Sequence, residues 1–184
     1  MRIVSCLIVV SLLVGCVGAS QNISFSPNWN SEEAGLPPIK ADNLLGDTVS
    51  LPEDLKGSRT LLIIGFSHAQ KECIKEWLRS ADSIAKTNQN LVSYRLAVIE
   101  PSSFLLRSII RNGMRRGILE EAERARMLTV FTEAATFAKS IGFESVAECG
   151  VVMLDKSGRV VWRAQGPFTP ALEYQIAASL QPAM

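Results

Sequence analysis

Surplus charge is almost absent from this sequence: 19 lysines and arginines stand against 18 aspartates and glutamates. Arg2 is the one charged residue among the first fifteen, so the rest of the chain balances at 18 of each sign. A nucleic-acid binder needs a basic footprint, and a balanced chain does not supply one. Cysteine is scarce, with four, which excludes a scaffold held together mainly by disulfides. After Val14 there is no second long apolar run, so nothing further along reads as a membrane span. Internal repeats and low-complexity tracts are missing too. The roughly 170 residues that follow position 15 suit one domain with a proper core.

The chain opens with Met1-Arg2, one positive charge, and an almost wholly apolar stretch, Ile3–Val14. That stretch is too short to cross a bilayer comfortably but has the length of a signal-peptide core. It closes in Leu13-Val14-Gly15-Cys16, which resembles the bacterial lipobox. The resemblance implies cleavage before Cys16 and attachment of lipid to its thiol. Each buried methylene contributes about 0.8 kcal/mol, so several acyl chains on one residue anchor stably. On this reading residues 1–15 are a signal peptide, 16–34 a lipidated cysteine with a polar tether, and 35–184 the folded domain. Membrane lipid, held through palmitate on Cys16, is then the first expected partner. The expected location is a bacterial cell envelope, with the domain facing the periplasm. Val17 and Gly18 follow the cysteine without an aspartate, which by the sorting habit of such proteins favours the outer membrane. An ordinary cleaved export signal and a short buried helix are the competing readings of this segment.

Residues 17–34 are rich in Ser and Asn and have no period. Two short extended pieces follow, around Ile39–Asn43 and Thr48–Leu51, joined by a turn at Leu45-Gly46-Asp47. Thr60–Phe66 is a continuous apolar run with β-branched residues, the pattern of a strand buried on both faces. A helix from about Ala69 to Thr87 has its apolar stripe at Ile74, Trp77, Leu78, Ala81, Ile84 and Ala85. Alternation at Val92, Tyr94, Leu96 and Val98 predicts a second long strand. Ser102 or Ser103 caps a helix carrying Leu106, Ile109 and Ile110. Met127–Phe131 reads as a strand and Glu133–Ile141 as a short helix. Asp155-Lys-Ser-Gly158 joins Gly150–Leu154 to Arg159–Ala164 as a hairpin. Thr169-Pro170 starts a last helix that buries Leu172, Ile176 and Leu180. Strands alternating with helices predict an α/β domain: a largely parallel sheet, mixed by its final hairpin, with helices on both faces.

That order resembles the thioredoxin-like superfamily in its peroxiredoxin and TlpA-type branch. The matching residues are Leu36-Pro37, Gly46-Asp-Thr-Val-Ser-Leu51, Lys56-Gly57, the strand ending at Phe66, and Val152-Met-Leu-Asp-Lys-Ser-Gly-Arg-Val160. Redox-active members present a Cys-x-x-Cys pair after that strand, at a helix N-terminus that favours a thiolate. Here the turn reads Ser67-His68-Ala69-Gln70-Lys71-Glu72-Cys73, with neither Cys-x-x-Cys nor the peroxiredoxin Pro-x-x-x-Thr-x-x-Cys. The family also has a cis-proline just before the final hairpin, facing the redox site, and Cys149 falls at or beside that place. The second half has a narrower resemblance, to mitochondrial ATP-synthase assembly factors of thioredoxin-like descent. It is carried by Arg115-Arg116, the strand Met127–Phe131, Ile141-Gly142, Gly150–Asp155, Arg159-Val-Val-Trp162-Arg-Ala-Gln-Gly166 and Glu173. Those proteins are regarded as chaperones for a membrane subunit and also lack Cys-x-x-Cys.

With Cys6 removed and Cys16 lipidated, Cys73 and Cys149 are the remaining thiols. Cys73 has three readings: a small packing residue beside Ile74, half of a reversible disulfide with Cys149, or part of a Cys73/Cys149/His68 site for a soft metal such as Cu(I). His68, the only histidine, is otherwise a solvated loop residue. Arg107, Arg111 and Arg115 recur every four residues. They read as a solvated face with local ion pairs, or as a binding row for anionic headgroups or an acidic partner. Trp77 is expected in the core, and Trp162 in the core or on the surface. Two functions follow. The first is a membrane-tethered, non-catalytic binding or assembly module with an envelope protein as client. The second is a thiol-dependent redox protein using Cys73 with or without Cys149. No cofactor is implied.

Overall fold

The apolar run that starts at Thr60 becomes the centre of a sheet. In a computed structural model, which describes residues 35–101 and 104–180, Leu61, Leu62, Ile63 and Ile64 have no solvent exposure. The lipobox with Cys16, the tether to Ala34, and the capping residues Ser102 and Ser103 lie outside the described residues.

In chain order the elements are β1 (Ile39–Asn43), β2 (Thr48–Leu51), β3 (Arg59–Gly65), α1 (Lys71–Thr87), β4 (Leu91–Ile99) and α2 (Phe104–Gly117). They continue with α3 (Glu121–Arg126), β5 (Met127–Phe131), α4 (Ala134–Ser140), β6 (Gly150–Asp155), β7 (Val160–Gln165) and α5 (Pro170–Leu180). The seven strands form one sheet in the order β2-β1-β5-β4-β3-β6-β7. β3, β4 and β5 run parallel. β6 lies antiparallel to β3 and to β7, while β1 is antiparallel to β2 and β5. The mixed sheet and both hairpins match the sequence reading.

Period-2 alternation divides β3 between two cores. Leu62 and Ile64 face one that also holds Phe137 and Ala138 of α4. Leu61 and Ile63 face the other, filled by Trp77, Ala81 and Ile84 of α1 and by Leu172 and Ile176 of α5. Helices therefore cover both faces. Apolar burial stabilises by roughly 25 cal/mol per Å², so these two layers are the main favourable term. Among the described residues no helix is long and apolar enough to cross a membrane.

Two elements differ from expectation. The short helix α3 is extra, built from the charged run Glu121–Arg126 with acids in its first turn and arginines in its last, the arrangement a helix dipole favours. The apolar residues of α2 also divide: Leu105, Leu106 and Ile109 are 74 %, 46 % and 67 % exposed, while Ile110 is half-buried and Met114 packs against Leu44, Ile118 and Met127. Arg107 and Arg111 share the inward side with them. Arg107 lies over the Phe131 ring, 4.6 Å from its centroid, and Arg111 pairs with Asp42 at 3.0 Å.

Candidate functional site

The strand β3 ends at Gly65, where a Cβ would come within 2.6 Å of the Ile74 side chain. Glycine there lets the start of α1 pack directly against the strand end. The turn between them is fixed by Gln70, a buried residue in a short 3-10 turn, His68–Gln70. Its Oε1 accepts the backbone N–H groups of Phe66 and Ser67 at 2.8 and 3.3 Å. Its Nε2 donates to the Val146 carbonyl at 2.8 Å. One carboxamide thus ties the β3–α1 turn to the segment leading into β6.

Those two segments carry the cysteines. Cys73 is the third residue of α1 and Cys149 directly precedes β6. They form a disulfide with Cα atoms 6.4 Å apart, closing a separation of 76 residues. The spacing falls inside the range a disulfide requires. By the loop-closure argument a ring of this size stabilises the fold by about 4 kcal/mol. Cys149 is fully buried, whereas Cys73 is half-buried at the edge of the same core.

Aromatic side chains share the core that holds the bond. Trp77 follows Cys73 by one helical turn and meets Trp162 and Phe168 edge-on, with ring centroids 6.1 and 5.1 Å away. Its indole N–H donates to the Gly166 carbonyl at 2.8 Å, and the Gly166 N–H donates to the Cys149 carbonyl at 2.9 Å. The Cys149 sulfur itself sits 3.5 Å from that Gly166 carbonyl oxygen. Gly166 has φ +88°, a conformation L side chains rarely adopt, and a Cβ there would overlap the Glu148 carboxylate. Trp162 is buried, with its N–H donated to Gln175 at 3.3 Å.

The chemistry follows from exposure. An incoming thiolate can reach only Cys73, so the Cys149 sulfur must leave. Apolar walls and a carbonyl oxygen give a departing Cys149 thiolate no stabilisation. A Cys73 thiolate would be better placed, in the first turn of α1 where backbone N–H groups point outward.

Two sequence-derived sites stand differently from the way they were read. The Cys73/Cys149/His68 metal set does not form, because the two sulfurs are bonded to each other. Among the described residues no group of three or more His, Cys, Asp or Glu could hold a metal ion, and His68 is exposed in its turn. Arg107, Arg111 and Arg115 do not share one outward row: each step of four residues rotates by about 40°. The first two reach back to Phe131 and Asp42, and Arg115 alone of the three is exposed. Gln70 and Gly166 were not singled out by the sequence. The signals that could have found them are the Gly166-Pro167 dipeptide, a turn signal, and Ser67-His-Ala-Gln70, whose spacing is that of the capping box the structure shows.

No protein-family profile matches the chain, and no curated relative does. Solved structures do. An exposed lipoprotein thioredoxin from Streptococcus pneumoniae shares 17% identity over 78% of this chain and 97% of its own, with a TM-score of 0.51. A thiol-disulfide oxidoreductase from Bacteroides fragilis shares 14% over 78% and 98%, with a TM-score of 0.53. The thioredoxin domain of a thiol-disulfide oxidoreductase from Bacteroides vulgatus shares 15% over 81% and 97%, with a TM-score of 0.51. At such identities the likeness is one of architecture. The chain has a thioredoxin-like fold, with a disulfide joining the first turn of α1 to the entry of β6.

Proposed function

We propose that this chain is a membrane-tethered binding or assembly module of the cell envelope, with its Cys73–Cys149 bond serving as a staple. The observation that carries this reading is the burial of Cys149 against the Gly166 carbonyl. A sulfur so placed is a poor leaving group, and the sequence offers no Cys-x-x-Cys to replace it. Tethering rests on Cys16 and its lipobox, and the lack of an aspartate at Val17 and Gly18 favours the periplasmic side of the outer membrane. A pneumococcal protein of the same fold is named as an exposed lipoprotein, which supports the pairing of anchor and fold. The client is an envelope protein, in keeping with the resemblance of the second half to assembly factors.

A second reading is favoured by the position of Cys73 in the first turn of α1. In that case a client thiolate attacks the Cys73 sulfur, the S–S bond breaks, and Cys149 leaves with the electron pair and takes a proton. A second client thiolate then attacks the mixed disulfide and releases Cys73, so the client is oxidised and this chain reduced.

A redox titration of the purified chain separates the two. A staple should be reduced only below about −300 mV, and Cys73→Ala should lower the melting temperature while the chain that stays folded keeps its cellular role. A potential near that of thiol-disulfide oxidoreductases, roughly −120 to −270 mV, together with client adducts on Cys73 in a Cys149→Ser variant, would replace the first reading with the second.

A further inference from the structure

The helix α2 buries only part of its apolar surface, setting Met114 against Leu44, Ile118 and Met127. Four arginines and no acid lie within Phe104–Gly117, yet Arg107 and Arg111 are turned toward the sheet. Leu105 and Ile109 stand outward at 74 % and 67 % exposure, with Leu106 at 46 % beside them. Spacings of four, three and four put positions 105, 109, 112 and 116 on one line along the helix. That line runs from two apolar residues to Asn112 and the exposed Arg116, with exposed Arg115 alongside. Leu119, 84 % exposed, extends the apolar edge just past the helix. A surface helix normally keeps its apolar residues against its own core; a second apolar edge left in water signals an occupant from outside the domain.

We propose that this face of α2 docks on the anionic bilayer surface to which Cys16 is anchored. The proposal rests on the lipoprotein reading. Residues 17–34 can reach no more than about 60 Å, so an anchored domain stays beside the headgroups. The outward line has the composition of an interfacial helix, with apolar tips that enter the headgroup boundary and arginines that meet lipid phosphates. The charge is local: the chain beyond position 15 is neutral, while the exposed end of α2 carries Arg115 and Arg116 with no acid on the helix. Glu120, Glu121 and Glu123 fall on the following turn and α3, beyond the line.

The test uses the full lipidated chain with photoreactive benzoylphenylalanine in place of Ile109. A control carries it in place of Ala135, exposed on α4, whose core lies on the opposite face of the sheet. Each is reconstituted in phosphatidylethanolamine vesicles with and without phosphatidylglycerol, and illuminated. Lipid adducts should form at 109 in excess over 135 and should grow with phosphatidylglycerol. Arg115→Gln with Arg116→Gln should weaken docking about thirtyfold. Equal adducts at the two positions, or indifference to phosphatidylglycerol, would overturn the proposal. So would protein adducts at 109 in intact cells, which would make the face a client site. Palmitate labelling of the same preparation separates the two layers. A labelled chain without adducts refutes docking alone, whereas an unlabelled Cys16 refutes the anchor and the docking with it.

Discussion

Trp77 and Gly166 are joined across the core by an indole N–H donated to a backbone carbonyl at 2.8 Å. The bond matters beyond its own strength, because Gly166 in turn holds the Cys149 backbone. The chain therefore reaches one cysteine through the other's helix by two routes, one covalent and one through Trp77.

Trp77→Phe keeps most of the apolar volume but leaves the Gly166 carbonyl buried without a donor. The expected cost is about 1–3 kcal/mol, seen as a melting temperature lower by several degrees. An unchanged melting curve would mean that water or another donor satisfies the carbonyl.

Gln70→Ala removes the clamp between Phe66, Ser67 and Val146. The two turns that present the cysteines should then move more independently. Thermal stability should fall by about 1–3 kcal/mol, and the Cys73–Cys149 bond should be reduced faster by dithiothreitol. Gln70→Glu should restore acceptance but not donation, and so recover only part of the loss. Identical reduction rates in all three chains would count against Gln70 as the clamp.

Asp155 gives a pH signature. Burial pushes its carboxyl up. Hydrogen bonds from the Ser157 hydroxyl, the Arg159 backbone and guanidinium, and the Ser157 backbone outweigh this and hold it below the usual 3.8. A carboxyl lowered in the folded state adds stability that is fully present above the unfolded value and is lost as pH falls through the folded one. Asp155→Asn should therefore be less stable at neutral pH, and the two unfolding curves should converge in acid below the ordinary aspartate range. A gap that persists at pH 2 would assign the effect to packing.

Cys16→Ser tests the anchor. Labelled palmitate should mark the parent chain and not the variant, and the variant should lose lipoprotein-type retention in the membrane fraction. A variant that remains membrane-bound without label points to a retained apolar segment at Ile3–Val14.

How far the sequence revealed the fold depends on whether local pattern or tertiary partner decides each feature. The strand β3 was legible because Leu61–Ile64 is apolar at every position, which only burial on both faces explains. The hairpin between β6 and β7 was legible because Asp155-Lys-Ser-Gly158 is itself the turn, with Gly158 at φ +83°. The direction of α2 was not. Its hydrophobic residues marked an apolar face, but under the helix Phe131 of β5 and Asp42 of β1 recruit arginines beside the small apolar cluster that takes Met114, so Leu105 and Ile109 are left outside. The Cys73–Cys149 contact stayed open for a related reason: one residue of slip along α1 swings a side chain by about 100°. Only the packing of Trp77 and Ile74 settles that rotation. Half of the Gln70 clamp is local, since Ser67-His-Ala-Gln70 has the spacing of a capping box and Phe66 is four residues away; its other partner, Val146, is brought in only by topology.

The strand order has a consequence for assembly. Apart from the two hairpins, every pairing joins distant parts of the chain: Asp42 with Thr129, Leu62 with Val152. Closing such loops costs entropy before any contact repays it, so domains with this wiring fold slowly. An oxidant that meets the nascent chain early finds Cys73 and Cys149 separated by 76 positions of chain, with no sheet to align them. The thiols come within reach only when β3 has found β6. Oxidation is thus a late step, and a chain carrying this bond is one whose central strands have already met.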